Sequence, residues 1–377
     1  MKKTFKYRIY PTKSQETLLG KTLDGCRWLY NHFLEERKAS WETEKKSLSR
    51  YDQSNTLKFL KEEYPFLNDI HSQVLQNVAE RIDLAFRAFF RRVKSGETPG
   101  YPRFRGKDRY DSFTFPQAGF RLDEFLHISK IGKLKIRKHR DIEGKIKTCI
   151  IRRTPTGKWF VSLACDIDHV PVQQPVEPVI GLDMGLESFA TRSDAESIEN
   201  PRFFRQEEEV LAKAQRKLSV REKGSRARHK ARRVVSHIHE RINWRRDNFA
   251  HQESRKLVNQ FNTIAVEDLS INDMMKNKSH GLNKSIGDAA WRMFLELLDC
   301  KAEEAGKRVI KVNPAYTSQT CSRCGTRHKL NLSDRLFHCP VCDLELNRDV
   351  NAAINIFGLG LQSIGYAKEA PGFSRGE

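Results

Sequence analysis

Cys321-Ser-Arg-Cys324 is followed, after fourteen intervening residues, by Cys339-Pro-Val-Cys342. Two Cys-x-x-Cys pairs at this spacing can present four thiolates to one tetrahedral Zn²⁺, the closed arrangement of a structural site. Asp349 comes almost at once, opening a stretch from Val350 to Phe357 whose Ala and Ile content reads as a helix. An Asp at a helix start is often only a cap, so this stretch alone does not set its role. Two further acids lie in strand-like contexts upstream: Asp183 in Val179-Ile-Gly-Leu-Asp-Met-Gly185, and Glu267 ending Thr263-Ile-Ala-Val-Glu267.

An α/β sheet would gather these three positions at one edge. Clustered carboxylates repel and are costly to desolvate unless cations neutralise them. Two Mg²⁺ ions suit the task, because they prefer carboxylate oxygens and water. Such a pair, about 3.5–4 Å apart, activates water and stabilises the leaving oxygen in phosphodiester hydrolysis. Acids at strand ends can also be merely solvated, and the residue pattern by itself leaves both readings open.

The elements that must hold these groups can be traced along the chain. Phe5, Tyr7 and Ile9 alternate with Lys6, Arg8 and Tyr10 and read as a strand ended by Pro11. Helical spacing follows in Leu18, Leu19, Leu23, Cys26, Leu29, Tyr30 and Phe33, then in Val74, Val78, Ile82, Phe86 and Phe90, with both stripes expected in the core. Pro99-Gly-Tyr-Pro102 breaks the helices. Short strands are expected from Ser112 to Asp168, and with the opening strand they would make a small antiparallel barrel into which the helices are inserted. Pro171, Pro175 and Pro178 mark a linker. Beyond it, the strands of Asp183 and Glu267, a polar loop from Leu269 to Gly287, a helix through Trp291, Phe294, Leu298 and Ala302, and a strand over 309–312 lead into the cysteine ribbon. Residues 276–284 could form a lid or a flexible connection, and the tail after Gly358 reads as loose.

The chain has 377 residues, enough for two or three domains, and 68 Lys and Arg against 48 Asp and Glu give +20. That excess favours a polyanion, with nucleic acid as the leading candidate, although an ordinary basic surface would look similar. Between Arg205 and Arg246 lie fourteen basic residues against five Glu. There Val234, Val235, Ile238, Ile242 and Phe249 would dock one face, leaving Arg226, Arg228, Lys230, Arg232 and Arg233 for phosphates. No apolar run approaches the roughly 18–20 residues of a membrane span. The basic start lacks an apolar segment behind it and is not a signal peptide. The four remaining cysteines (26, 149, 165 and 300) are scattered, which suits a reducing compartment. An intracellular protein is therefore expected.

The order "KYRIYPTKSQETLL…CRWLYNHFL", "GYPRFRGK", "IGLDMGLESFAT", "IAVEDL" and "NPAYTSQTCSRCG…HCPVCDLELNRDVNAAINI" covers nearly the whole chain. It resembles the TnpB family, RNA-guided DNA endonucleases of insertion sequences and relatives of type V CRISPR effectors. The resemblance implies a multidomain α+β protein. A β-barrel wedge domain would comprise 1–12 and 97–172, with a helical recognition domain inserted at 13–96. A RuvC-like, RNase H-type nuclease domain would comprise 178–315 and 344–360, with a zinc-ribbon target-nucleic-acid-binding insertion at 316–343 and a flexible tail at 361–377. It implies catalytic Mg²⁺ on Asp183, Glu267 and Asp349, and structural Zn²⁺ on Cys321, Cys324, Cys339 and Cys342. It also implies a guide RNA and double-stranded target DNA as partners, with a monomer in the ribonucleoprotein and a dimer left open.

The family often carries His before its Arg-Asp pair, where this chain has Asn347. The region from Tyr51 to Gln76 matches only loosely, so the DNA motif cannot be transferred. Tyr51 and Gln76 are candidate readers by stacking or by a bidentate contact to adenine, and equally a core Tyr and a helix-surface Gln. A guide-directed repressor without cleavage is the alternative function, and an unguided zinc-ribbon factor a third. Retention of all three acids favours catalysis. No Tyr with a His-hydrophobe-His pair for single-strand transposition is evident.

Overall fold

The computed structural model describes the chain except residues 1, 108, 169–170, 277–279, 332–333 and 367–377. It divides into two compact units, residues 1–170 and 171–377.

In the first unit, β1 (Lys2–Tyr10) leads through Pro11 into α1 (Lys13–Glu44). Thr12 starts that helix with a capping box, its hydroxyl accepting from the Gln15 N–H while the Gln15 side chain accepts from the Thr12 N–H. Helix α2 (Arg50–Glu63), a 3₁₀ turn (Pro65–Asp69) and α3 (Ser72–Lys94) follow. Six strands complete the unit: β2 (Ser112–Phe115), β3 (Phe120–Leu122), β4 (Leu126–Ile128), β5 (Gly132–Arg137), β6 (Lys145–Arg153) and β7 (Trp159–Asp166).

All pair antiparallel in the order β2-β6-β7-β1-β5-β4-β3. The outermost strands β2 and β3 are nevertheless joined by residues 116–119 alone, a link that spans at most about 18 Å when fully extended. The sheet must therefore curl until its edges nearly meet, and the Phe115 and Phe120 rings lie 6.4 Å apart at that seam. Phe5, Tyr7, Ile9, Phe113, Phe115, Val161 and Leu163 fill the interior.

The helices bury Leu19, Leu23, Cys26, Leu29 and Phe33 of α1, and Val74, Val78, Ile82 and Phe86 of α3. Two members of the expected stripes are not core: Leu18 is exposed, and Phe90 is 57% exposed, its ring set only against Phe86 and Phe89 of its own helix among the aromatic rings described. Arg37 enters the interior with its charge satisfied, its Nε donating to Gln53 Oε1 at 2.8 Å and its guanidinium pairing with Asp83.

The second unit contains β8 (Val179–Met184), β9 (Ser188–Arg192), β10 (Ser197–Glu199), α4 (Phe203–Ser219), α5 (Arg226–Gln260), β11 (Thr263–Glu267), α6 (Ile271–Lys276), α7 (His280–Ala289), α8 (Trp291–Glu304), β12 (Arg308–Val312), β13 (Leu336–His338), β14 (Glu345–Asn347) and α9 (Arg348–Ser363). Its main sheet runs β10-β9-β8-β11-β12. β8, β11 and β12 are parallel, β9 pairs antiparallel with β8, and β10 pairs antiparallel with β9.

Alternation sorts the sheet's two faces. Ile180, Leu182, Ile264 and Val266 pack with Leu257 and Val258 of α5 and with Phe294 and Leu298 of α8. Ala265 and Val312 pack with Ile356 of α9 on the other face. Small residues bring α9 close there. A Cβ on Gly181 would lie 2.3 Å from the Ala353 carbonyl oxygen, and one on Gly360 would lie 2.5 Å from the Ala265 Cβ.

The polar stretch expected as a loop after Leu269 is largely helical, as α6 and α7. Leu282 and Ile286 recur four residues apart, enough to seat α7 on the core that Ile286 joins. The lid expected at 276–284 includes residues 277–279, which lie outside the described residues, as does most of the expected loose tail, at 367–377. Residues 361–363 belong to α9.

Candidate active site and metal centre

Residues Leu182 and Val266 are register partners in adjacent parallel strands. The next residue on each strand is an acid, Asp183 on β8 and Glu267 at the end of β11. Both fall on the face that α9 covers. The first turn of α9 carries Asp349, so sheet register and close helix packing bring the three sequence-predicted acids to one edge.

Asn347 supplies the cap that could have occupied Asp349. Its side-chain oxygen accepts from the Asp349 N–H at 2.8 Å and the Val350 N–H at 3.3 Å. The Asp349 carboxylate is thereby left for other work.

Desolvation, then the charges of Glu267 and Asp349, push the Asp183 carboxyl up to about 8, and Arg348 offsets part of that rise. Glu267 is 8% exposed; burial raises its pKa, while Thr317 Oγ1, donating at 2.8 Å, lowers it. Burial thus favours the neutral form of both carboxyls, with the larger rise on Asp183. Among the described residues no hydrogen bond reaches the Asp183 carboxylate. The three acids are not drawn within 4.8 Å of one another as the thiols are.

Four sulphurs do converge. The ligand atoms of Cys321, Cys324, Cys339 and Cys342 all lie within 4.8 Å of one another, with Cys321–Cys342 and Cys324–Cys339 each at 3.5 Å. Zn–S bonds of about 2.3 Å would place tetrahedral sulphurs about 3.8 Å apart, so the set fits such an ion.

Each knuckle closes with the same turn: Gly325 N–H donates to Cys321 O, and Asp343 N–H to Cys339 O, both at 2.9 Å. Gly325 and Asp343 both take positive φ, 75° and 56°. The hydroxyl and N–H of Thr326 draw the Cys324 thiol down to about 6.

Three residues not singled out in the sequence fasten this ribbon to the acids. Asn351 Nδ2 donates to Thr320 O at 2.8 Å while its oxygen accepts from the Ser322 N–H at 3.0 Å. Asn355 Nδ2 donates to both Thr317 O and Thr320 O. Thr317 in turn holds Glu267. Two asparagines four residues apart on a helix otherwise rich in Ala and Ile were the signal available for the first two.

The basic candidates divide. Arg226, Lys230, Arg232 and Arg233 are exposed along α5. Arg228 is not a free cation: its guanidinium donates to Leu218 O at 3.0 Å and Arg221 O at 2.6 Å, closing the end of α4. Val234, expected to dock, is 53% exposed; Ile238 and Ile242 are buried. Tyr51 is 65% exposed rather than core, with the Arg50 guanidinium 4.7 Å from its ring centroid. Gln76 is exposed on α3.

Residues 291–356 match a family described as Cas12f1-like, TNB domain, and residues 162–278 match one described as Probable transposase. A Streptomyces pristinaespiralis protein named as an RNA-guided DNA endonuclease is 36% identical over 368 residues, covering 96% of this chain and 90% of its own. The chain belongs to the TnpB family. A second relative, named RNA-guided DNA endonuclease InsQ, from Escherichia coli K12, is 31% identical over 94% of this chain and 92% of its own. Among solved structures, that of a Cas12f1–sgRNA–target DNA complex aligns with a TM-score of 0.58 at 14% identity, over 94% of this chain and 98% of that one. This TnpB chain therefore shares the fold of that effector.

A third match, residues 1–46, carries the description Helix-turn-helix domain. Here that segment is a strand and one continuous helix of 32 residues. No helix among the described residues is long and apolar enough to cross a membrane.

Proposed function

We propose that this TnpB chain is an RNA-guided DNA endonuclease that finds double-stranded DNA through a bound guide RNA and a short adjacent motif. Two relatives that match it nearly end to end bear the name RNA-guided DNA endonuclease. A 43.8 kDa protein cannot read some twenty base pairs through side chains, whereas base pairing to a guide can. The protein needs a cationic channel for backbones, and its +20 charge supports that. In this reading residues 1–12 and 97–172 are the wedge, 13–96 the recognition domain, 178–315 and 344–360 the RuvC-like nuclease, and 316–343 the target-binding ribbon.

Asp183, Glu267 and Asp349 would hold two Mg²⁺ ions, which supply an activated water and stabilise the leaving oxygen. Asp183 carries the observation on which the reading rests: a carboxyl raised to about 8 by burial and two neighbouring acids, with no hydrogen-bond donor of its own among the described residues. A site built to accept cations leaves a carboxylate in that condition. Thr317 orients Glu267, and Asn347 keeps the helix cap off Asp349. Cys321, Cys324, Cys339 and Cys342 would hold Zn²⁺ as a structural ion.

Replacing each acid by Ala, in the protein loaded with its guide RNA, tests the assignment. Cleavage of a motif-bearing duplex is expected to be lost, with guide and target binding within about twofold of wild type, because the acids face the metals rather than distant phosphates. Near-wild-type cutting by any of the three would remove that acid from the site.

A further inference from the structure

One imidazole stands against the thiol cluster without being part of it. His328 follows Cys324 by four residues, and its Nε2 lies 3.3 Å from Cys339 Sγ. The backbone N–H of His328 donates to Gln319 O at 2.9 Å, and its ring centroid lies 6.2 Å from that of Phe337, which is fully buried. The residue is thus anchored through its backbone and packed through its ring while half-buried. It stands outside the set of four ligand atoms that share a 4.8 Å neighbourhood, so it is not a fifth ligand.

We propose that His328 is a positioning residue that donates its Nε2–H to the Cys339 thiolate and so holds the ribbon's zinc in place. The inference rests on the zinc reading above. A metal-bound thiolate has only lone pairs to offer, so the histidine must be the donor, with its proton on Nε2. Four thiolates on one divalent ion leave two net negative charges on sulphur. N–H donors draw off that density and weaken the sulphur's attraction for protons and electrophiles.

The other three sulphurs receive donors from their own knuckles. Cys321 takes the N–H groups of Arg323 and Cys324, Cys324 takes Thr326, and Cys342 takes the Leu344 N–H. His328 differs by reaching from the first knuckle's loop to the second knuckle's leading cysteine. It joins the two halves of the ribbon through a bond that forms fully only when the sulphur is a thiolate.

The test uses full-length zinc-loaded protein in three forms: wild type, His328→Phe, which keeps a ring against Phe337 but has no donor, and His328→Gln, which keeps a side-chain N–H. Zinc transfer to the chelator 4-(2-pyridylazo)resorcinol gives a rate, and cobalt substitution gives the thiolate-to-metal charge-transfer band. His328→Phe is expected to release zinc about tenfold faster with its cobalt band at lower energy, while His328→Gln stays within about twofold of wild type in both. A zinc-loaded His328→Phe protein with wild-type release and an unmoved band overturns the inference and leaves the zinc reading standing. Wild-type protein that neither carries nor binds zinc removes the zinc reading itself. A purely packing role gives the opposite ranking, with Phe near wild type and Gln fast, and also overturns the inference.

Discussion

Asp183 and Glu267 occupy matching positions on neighbouring parallel strands, each one residue beyond the register pair Leu182–Val266. Neighbouring strands lie about 4.8 Å apart, so the backbone itself sets two carboxylates side by side. Their separation depends on hydrogen-bonded register rather than on flexible loops.

Burial, and after it that closeness, give Asp183 a pH signature. An acid whose folded pKa is raised contributes stability that is fully present below its unfolded value, near about 4, and is lost as pH rises to the folded value. For Asp183 the folded value is about 8, so the window spans roughly pH 4–8. In magnesium-free buffer with zinc retained, melting temperature is expected to fall across that window more steeply for wild type than for Asp183→Asn. Added Mg²⁺ should restore wild type and leave the variant little changed. Parallel melting curves for the two proteins would contradict the raised Asp183 pKa.

Gly181 is expected to be intolerant for reasons of space alone. A Val there drives its Cβ into the Ala353 carbonyl of α9, and overpacking of this kind costs about 3 kcal/mol or more. Because α9 carries Asp349, cleavage should fall further than the melting temperature implies. Gly20 in α1 is the contrasting case, with nothing within 4 Å of an added Cβ. Gly20→Ala should stabilise by up to about 1 kcal/mol. Thermal melts of both variants, alongside cleavage rates, check the pair.

The basic face of α5 should separate into two behaviours. Reversing charge at Arg226, Lys230, Arg232 and Arg233 together is expected to weaken nucleic-acid binding without shifting sequence preference, and to flatten the dependence of log affinity on log salt. Arg228→Ala should leave that slope nearly unchanged and instead cost about 1.5 kcal/mol, since its bonds go to backbone carbonyls at the end of α4. An unchanged slope in the fourfold variant would mean that this face carries no phosphate backbone.

The two knuckles predict an asymmetry in mutational tolerance. Asp343 holds a left-handed turn that Gly325 occupies without cost. Among the described residues its carboxylate pairs with His338, a surface contact of small worth. Asp343→Gly should raise ribbon stability by about 0.5–1 kcal/mol, and Gly325→Val should lower it by a similar or larger amount. Zinc retention during mild heating reads both. Cys321→Ser should instead lose the ion and much of the ribbon with it.

Much of this arrangement was legible in the sequence because it is written in short-range pattern. Period-two and period-four runs marked β1, α1 and α3, and apolar strands ending in acids marked β8 and β11. What stayed hidden depends on length and long-range packing. The four-residue spacing of α3 carries no mark showing that cover stops between Phe86 and Phe90. A guanidinium that reaches a carbonyl ten residues back, as Arg228 does to Leu218, has the same composition as one that faces a phosphate. The segment after Leu269 has loop-like composition and folds as helices because apolar residues at 282 and 286 find a core. Thr317 could not be distinguished as the partner of Glu267, because fifty residues separate them.

β14 ends at Asn347 and α9 begins at Arg348, with no residue between them. The joint is further clamped by Asn351 and by Arg348, whose guanidinium donates to Asn331 O and Asp334 O in the ribbon. The hairpin and the first turn of α9 are thus one continuous piece of hydrogen-bonded backbone. A tilt of the ribbon would move Asp349 with it, since no loop lies between them to take up the change.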